Sequence, residues 1–191
     1  MHRWHWISSA ICLICMMLFA ITGITLNHPQ WFESEADTYE ATYQLDNDLH
    51  QQLSQMQAPA ILPEELIHWL NQNTNHQLNF KRSQFEWSSY EIYIQQPFAG
   101  GDRWMSLDLD TGEVLYSNTD RGLVAWLNDL HKGRNTSMVW IVFIDIFAVA
   151  TLVFCITGLL LLQIHSKRRP STWYITAAGL LIPAILLYVY G

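Results

Sequence analysis

Apolar residues collect in three long runs, Ile7 to Leu26, Met138 to Ile164 and Trp173 to Tyr190, and between the first two the chain alternates between polar and apolar positions. At about 1.5 Å of rise per residue, roughly twenty apolar residues cross about 30 Å of hydrocarbon, so each run predicts a membrane-spanning helix. The second is longer than a span requires and should tilt or project. From Asn27 to Ser137 the pattern is that of a water-soluble domain. There Pro63, then Glu64, Glu65, Leu66, Ile67, Trp69 and Leu70 give a helix start followed by helical apolar spacing, ending near the Asn71 to Asn75 cluster. After it the period changes to two. Phe85 and Trp87, then Tyr90, Ile92 and Ile94, predict a strand or two before the Pro97 to Gly101 turn, and Trp104 to Leu109 turns at Asp110-Thr111-Gly112 into Glu113 to Tyr116.

The expected fold class is therefore an α-helical membrane protein bearing an α+β domain, one helix on a small antiparallel sheet. Its expected divisions are residues 1–27 (amino-terminal end and first span), 28–122 (polar domain), 123–137 (interfacial amphipathic helix), 138–165 (second span), 166–172 (basic loop) and 173–191 (third span). Composition agrees, since 50% hydrophobic and 14% charged residues in 191 is too apolar for a soluble domain of that length.

Charge sets the expected orientation, because Lys and Arg in short loops resist translocation. Arg3 precedes the first run and Lys167, Arg168 and Arg169 fill the link between the second and third, whereas residues 27–137 carry sixteen of the seventeen acids against six basic residues. This predicts a bacterial inner-membrane protein with a cytoplasmic amino terminus, a periplasmic polar domain and a periplasmic carboxyl end. Trp4, Trp6, Trp173 and Tyr174 would mark the inner interface, and Trp31, Trp140, Tyr188 and Tyr190 the outer. A cleaved signal peptide is the rival reading of the first run, but the run is long for a signal core and no small-x-small site follows it. Cys12, Cys15 and Cys155 all lie at membrane depth, so no disulfide framework is expected, and the Cys12/Cys15 pair reads as packing. Asp108 to Glu113 resembles half of a calcium loop and reads as a turn.

Leu107-Asp108-Leu109-Asp110-Thr111-Gly112-Glu113-Val114 resembles the hairpin of the PepSY domain, a small helix-and-sheet module found outside bacterial membranes. Arg3-Trp4-His5-Trp6, Ile21-Thr22-Gly23, Leu26-Asn27-His28, Leu130-His131-Lys132-Gly133 and Ile156-Thr157-Gly158 resemble the PepSY-associated transmembrane helix family. Larger members resemble duplicated versions, so the resemblance implies that a homodimer of this single-domain chain would rebuild what they hold in one chain.

Four of the eight histidines fall at the ends of the first two spans, His5 and His165 inside and His28 and His131 outside. Two imidazoles at one depth on neighbouring helices are what a bis-histidine b-type haem requires, so these four are the candidate axial ligands of an inner and an outer site. His5 and His28 are about 34 Å apart along a helix. Gly23 and Gly158 would leave room for a flat porphyrin, or serve close helix packing. His2 is an alternative inner ligand; His50, His68 and His76 are expected to be solvated. Leu123, Trp126, Leu127 and Leu130 make an apolar stripe that would carry His131 at the interface. Asp145, about two turns inside the second span, is costly in hydrocarbon and is expected either to carry protons beside a quinol site or to pair with Thr22, Thr25 or Asn27.

No Walker sequence, GxGxxG or hydrolase constellation is present, and no cytoplasmic domain is large enough for a nicotinamide or flavin. Two functions follow. In the first, haem b carries electrons from quinol or a redox partner across the membrane to a periplasmic acceptor, with ferric iron or a ferric siderophore favoured, as a membrane ferric reductase or an accessory subunit of an iron transporter. The resemblance adds to this, since some larger relatives resemble haem-containing siderophore reductases. In the second, the chain is a non-catalytic anchored module that binds or restrains a periplasmic protein such as a peptidase. Neither involves nucleic acid. The histidines and the sheet discriminate the two.

Overall fold

The computed structural model describes residues 2–32, 35–58, 61–74, 84–166 and 171–191. The basic link Lys167, Arg168 and Arg169, His76 and the side chain of His2 lie outside the described residues. In chain order the elements are α1 (His2–Asn27), β1 (Asp37–Gln44), α2 (Asn47–Ser54), α3 (Glu64–Asn73), β2 (Gln84–Trp87), β3 (Glu91–Phe98), β4 (Gly101–Asp108), β5 (Glu113–Asp120), α4 (Gly122–Lys132), α5 (Met138–His165) and α6 (Thr172–Tyr190). A single 3₁₀ turn, Pro29–Trp31, follows α1. Helices α1, α5 and α6 are long and apolar enough to cross a membrane. The chain divides into two compact units, residues 1–19 with 142–191, and residues 20–141.

In the second unit the five strands form one antiparallel sheet, ordered β1-β5-β4-β3-β2. Strands β2 to β5 are a meander. Strand β1 returns to the far edge beside β5, with Tyr43 opposite Val114 and Ala41 opposite Tyr116. Helices α2 and α3, inserted between β1 and β2, supply the second layer. Leu53, Leu66, Trp69 and Leu70 pack against Ile92, Ile94, Met105, Leu107, Val114 and Tyr116 in one core. Ile92 and Val114 are wholly buried. The two-residue side-chain period decides this: alternate strand positions face the helices, and the residues between them face away.

The β4–β5 turn shows why its residues were recognisable. Asp108 accepts hydrogen bonds from the Asp110 and Thr111 backbone N–H groups at 2.9 and 2.8 Å, and Gly112 closes the turn at φ +72°. A side chain at that φ is strained, and a Cβ there would also sit 3.0 Å from His50. Two elements go beyond the sequence reading. It held one helix and no strand before it, whereas the domain has α2 and the edge strand β1. His50 is also more than a solvated group: its Nε2–H donates to the Leu109 carbonyl at 2.8 Å, pinning α2 to the end of β4.

Helix α4 leaves β5 directly and is held by a buried acid. Asp129, 2% exposed, accepts from the Gly100 N–H at 2.9 Å and from Arg134 at 2.6–2.8 Å. Gly100 has φ +80° and lies against Trp126, where a Cβ would come within 2.8 Å of the tryptophan Cβ and 2.9 Å of its Cα. The other side of α4 meets the end of α1: Thr22 and His131 share a 2.6 Å hydrogen bond, and Thr25 donates to Asn128 at 2.6 Å. The Trp140 indole N–H donates to the Leu130 carbonyl.

In the first unit α1 and α5 run antiparallel. Phe19 meets Phe147 at 5.1 Å between ring centroids, the Thr151 hydroxyl points at Cys12 Sγ at 3.7 Å, and the His5 ring stacks on Phe154. Ser8 and Cys12 are buried, while apolar flanks such as Leu152 (61% exposed) and Tyr188 (92%) face outward. The three cysteines are free thiols.

Candidate functional site

Each candidate ligand histidine has a local partner among the described residues. His5 Nδ1 lies 3.1 Å from the Thr157 hydroxyl, and its ring stacks on Phe154. Gly158 faces that ring, and a Cβ there would lie 3.4 Å from His5 Cε1, in ordinary van der Waals contact. His165 turns back on its own helix, donating from Nδ1 to the Leu161 carbonyl at 2.9 Å. His5 therefore sits level with Thr157, eight residues and about 12 Å along α5 from His165. At the other end His28 stacks on Trp31, centroids 3.9 Å apart and nearly parallel. His131 is held by Thr22, six residues and about 9 Å along the chain from His28. Gly23 is wedged against nothing, with open space where a Cβ would go.

A bis-histidine haem needs two imidazoles facing each other across one flat ring. The inner pair, His5 and His165, is offset in depth along α5, which does not suit one flat ring held between them. Among the described residues, no three His, Cys, Asp or Glu side chains are placed to hold a metal ion. Asp145 is exposed on α5 without a hydrogen bond or ion pair to any described residue. Thr22 and Thr25 are engaged by α4 instead.

The other constellation is the sheet face that α2 and α3 leave uncovered. By register it carries rows running across the strands: Glu86, Tyr93, Ser106, Leu115 and Thr42, then Gln84, Gln95, Trp104, Ser117 and Glu40. Tyr93 and Trp104 are diagonal neighbours, stacked at 6.2 Å. Ser117, between Trp104 and Glu40 in register, is 2% exposed even on this face. Two shallow hollows share Leu115. One of about 230 Å³ is lined by Tyr90, Glu91, Ser106, Asp108 and Glu113, the other of about 220 Å³ by Glu40, Thr42, Trp104 and Tyr116. Ser106 donates to Glu91 at 2.6 Å, and Asp102 pairs with Arg121 at 2.9 Å.

Charge on this face is mostly of one sign. The Tyr93 phenol is pushed above its ordinary range, first by burial and then by Asp102, Glu86 and Glu91. Arg103 falls on the other face, bonded to Asn118 and lying over Phe98. The centre of this face is aromatic and aliphatic and is framed by carboxylates, with Ser106 bonded to Glu91. Such a face can bury apolar area and attract cationic groups.

A family model described as "Putative PepSY_TM-like" matches residues 1–190. No curated protein and no solved structure matches the chain.

Proposed function

The chain belongs to the PepSY_TM-like family, and on that premise we propose that it is a non-catalytic binding module anchored in the bacterial inner membrane. The amino terminus lies in the cytoplasm and the five-stranded domain and carboxyl end in the periplasm, as the basic residues Arg3 and 167–169 and the acidic domain favour. The open sheet face binds or restrains a periplasmic protein, such as a peptidase, through a segment that presents basic and apolar side chains. The observation that carries this is the uncovered face itself: Tyr93, Trp104 and Leu115 surrounded by Glu40, Glu86, Glu91, Asp108 and Glu113. Aromatic anchors within a charged rim are the usual anatomy of a protein interface.

The test is site-specific photo-cross-linking in intact cells, with the probe at Trp104 or Leu115 on the open face and at Glu65 on the far side of α3. A single periplasmic partner joined from the first two positions and not the third is expected. Its complex with the full chain should weaken at least tenfold in Trp104→Ala and stay unchanged in His5→Ala and His28→Ala. Equal labelling from all three positions would defeat the proposal.

The electron-transfer alternative, in which a b-type haem delivers electrons to periplasmic ferric iron, meets an inner pair, His5 and His165, that is offset in depth. A Soret band in the purified chain after haem supplementation, reduced in His28→Ala, would reinstate it and displace the binding reading.

A further inference from the structure

We propose that two copies of this chain pack against each other through the outward side of α5, as a parallel pair of helices with Asp145 and Gln163 as hydrogen-bonding layers at the seam. The inference does not depend on what the sheet binds. Helix α5 has two sides. Phe147, Thr151, Phe154 and Thr157 all contact α1, meeting Phe19, Cys12 and His5. At 3.6 residues per turn, Asp145 lies directly opposite Phe154.

Beginning one turn earlier, Val142, Asp145, Val149, Leu152, Ile156, Leu159 and Gln163 follow alternating steps of three and four, the spacing of a coiled-coil seam. Every one of them is exposed, the five apolar members by 45–61%. The strongly polar side chains of the span divide cleanly. Thr151 and Thr157 go to α1, and the carboxyl and the carboxamide go to the opposite stripe. Neither Asp145 nor Gln163 has a side-chain hydrogen bond among the described residues. A carboxyl left against lipid is expensive, and a polar group at membrane depth ordinarily finds a partner there.

A second copy fits that requirement best. No Lys or Arg follows Arg3 in α1, and none occurs in α5 or α6, so the spans hold no cation for Asp145. A two-fold axis along the membrane normal places identical residues at identical depth. A carboxyl group can hydrogen-bond its own copy, as can a carboxamide, which is both donor and acceptor. The two layers are eighteen residues, about 27 Å, apart, and together they fix the register of the seam.

The experiment uses the full chain in native membranes with Cys12, Cys15 and Cys155 replaced by serine and single cysteines introduced. Val149→Cys, Leu152→Cys and Ile156→Cys should cross-link on oxidation to a species of twice the chain mass, at least fivefold more than Ile146→Cys and Val153→Cys. Even cross-linking around the helix, or cross-linking to a protein of another mass, overturns the proposal. So does closure of Leu152→Cys onto a cysteine introduced in α6. The unmodified chain, incorporated in lipid nanodiscs, should scatter light as a dimer; a monomer also overturns it. Asp145→Asn should keep the dimer, and Asp145→Leu should weaken it roughly threefold, as expected for one interhelical hydrogen bond.

Discussion

The five-stranded domain and the membrane helices handle the same side chains in opposite ways. In the domain Ile92 and Val114 are fully buried and the carboxylates of Glu40, Glu86 and Glu113 look outward. In the helices Ser8 and Cys12 are buried, and Leu152 and Ile156 are exposed by more than half. Water selects the first arrangement and lipid the second, because an apolar flank costs nothing against hydrocarbon. The domain therefore carries its own folding energy in one core, while the helices are held by a few directional contacts and by the solvent around them.

That contrast is sharpest for leucines. Leu66, 1% exposed between α3 and the sheet, should cost about 2–5 kcal/mol of domain stability when replaced by alanine, because a cavity remains where it packed. Leu152→Ala on α5 removes the same atoms from an exposed flank. The urea midpoint of the domain, read by near-ultraviolet circular dichroism of the solubilised full chain, should move for the first and not for the second. Equal shifts would mean that the domain has no core of its own.

The next largest effect concerns Asp129, the acid that ties α4 to the β3–β4 turn. Asp129→Ala leaves the Gly100 N–H and the Arg134 guanidinium without their shared acceptor, which should cost about 1–3 kcal/mol. Asp129→Asn keeps the carbonyl that faces Gly100 and should lose less. The same urea titration distinguishes them, and an alanine variant indistinguishable from wild type would remove the latch from the account.

Local patterns explain what could be foreseen. The three spans are written in unbroken apolar runs, α3 in its Pro63-Glu64 start, and the β4–β5 hairpin in Asp110-Thr111-Gly112, each of which depends only on near neighbours. Strand β1 carried a readable signal, with Tyr39, Ala41 and Tyr43 alternating against Thr38, Glu40 and Thr42, but its partner β5 is some seventy residues away. Asp129 and Gly100 are likewise joined only by the fold. The histidines show the limit most clearly. Their spacing along the chain suits paired ligands at two depths, but depth along one helix does not say which way a ring turns or that Thr157, Trp31 and Thr22 stand beside His5, His28 and His131. The open sheet face was legible only as alternate polar positions, because which face the helices cover is decided by their packing.

The smallest effect lies in the Asp108 turn and is a matter of pH. Hydrogen bonds from Thr111, backbone first, hold the exposed carboxyl below its ordinary range; desolvation opposes them, and the Asp110 N–H and nearby His50 add smaller contributions to the lowering. A carboxyl whose folded value is lowered favours the folded state above its unfolded value, near pH 4, and loses that contribution as pH falls through the folded value. Asp108→Asn keeps an acceptor for the same two N–H groups but does not titrate. Amide exchange at Asp110 and Thr111, relative to the β3–β4 turn of the same molecule, should accelerate in wild type as the solution is taken below about pH 4 and remain level in Asp108→Asn. Matching acid profiles would show that the turn is held by Gly112 and backbone bonds alone, leaving the carboxylate free to serve the acidic rim of the open face.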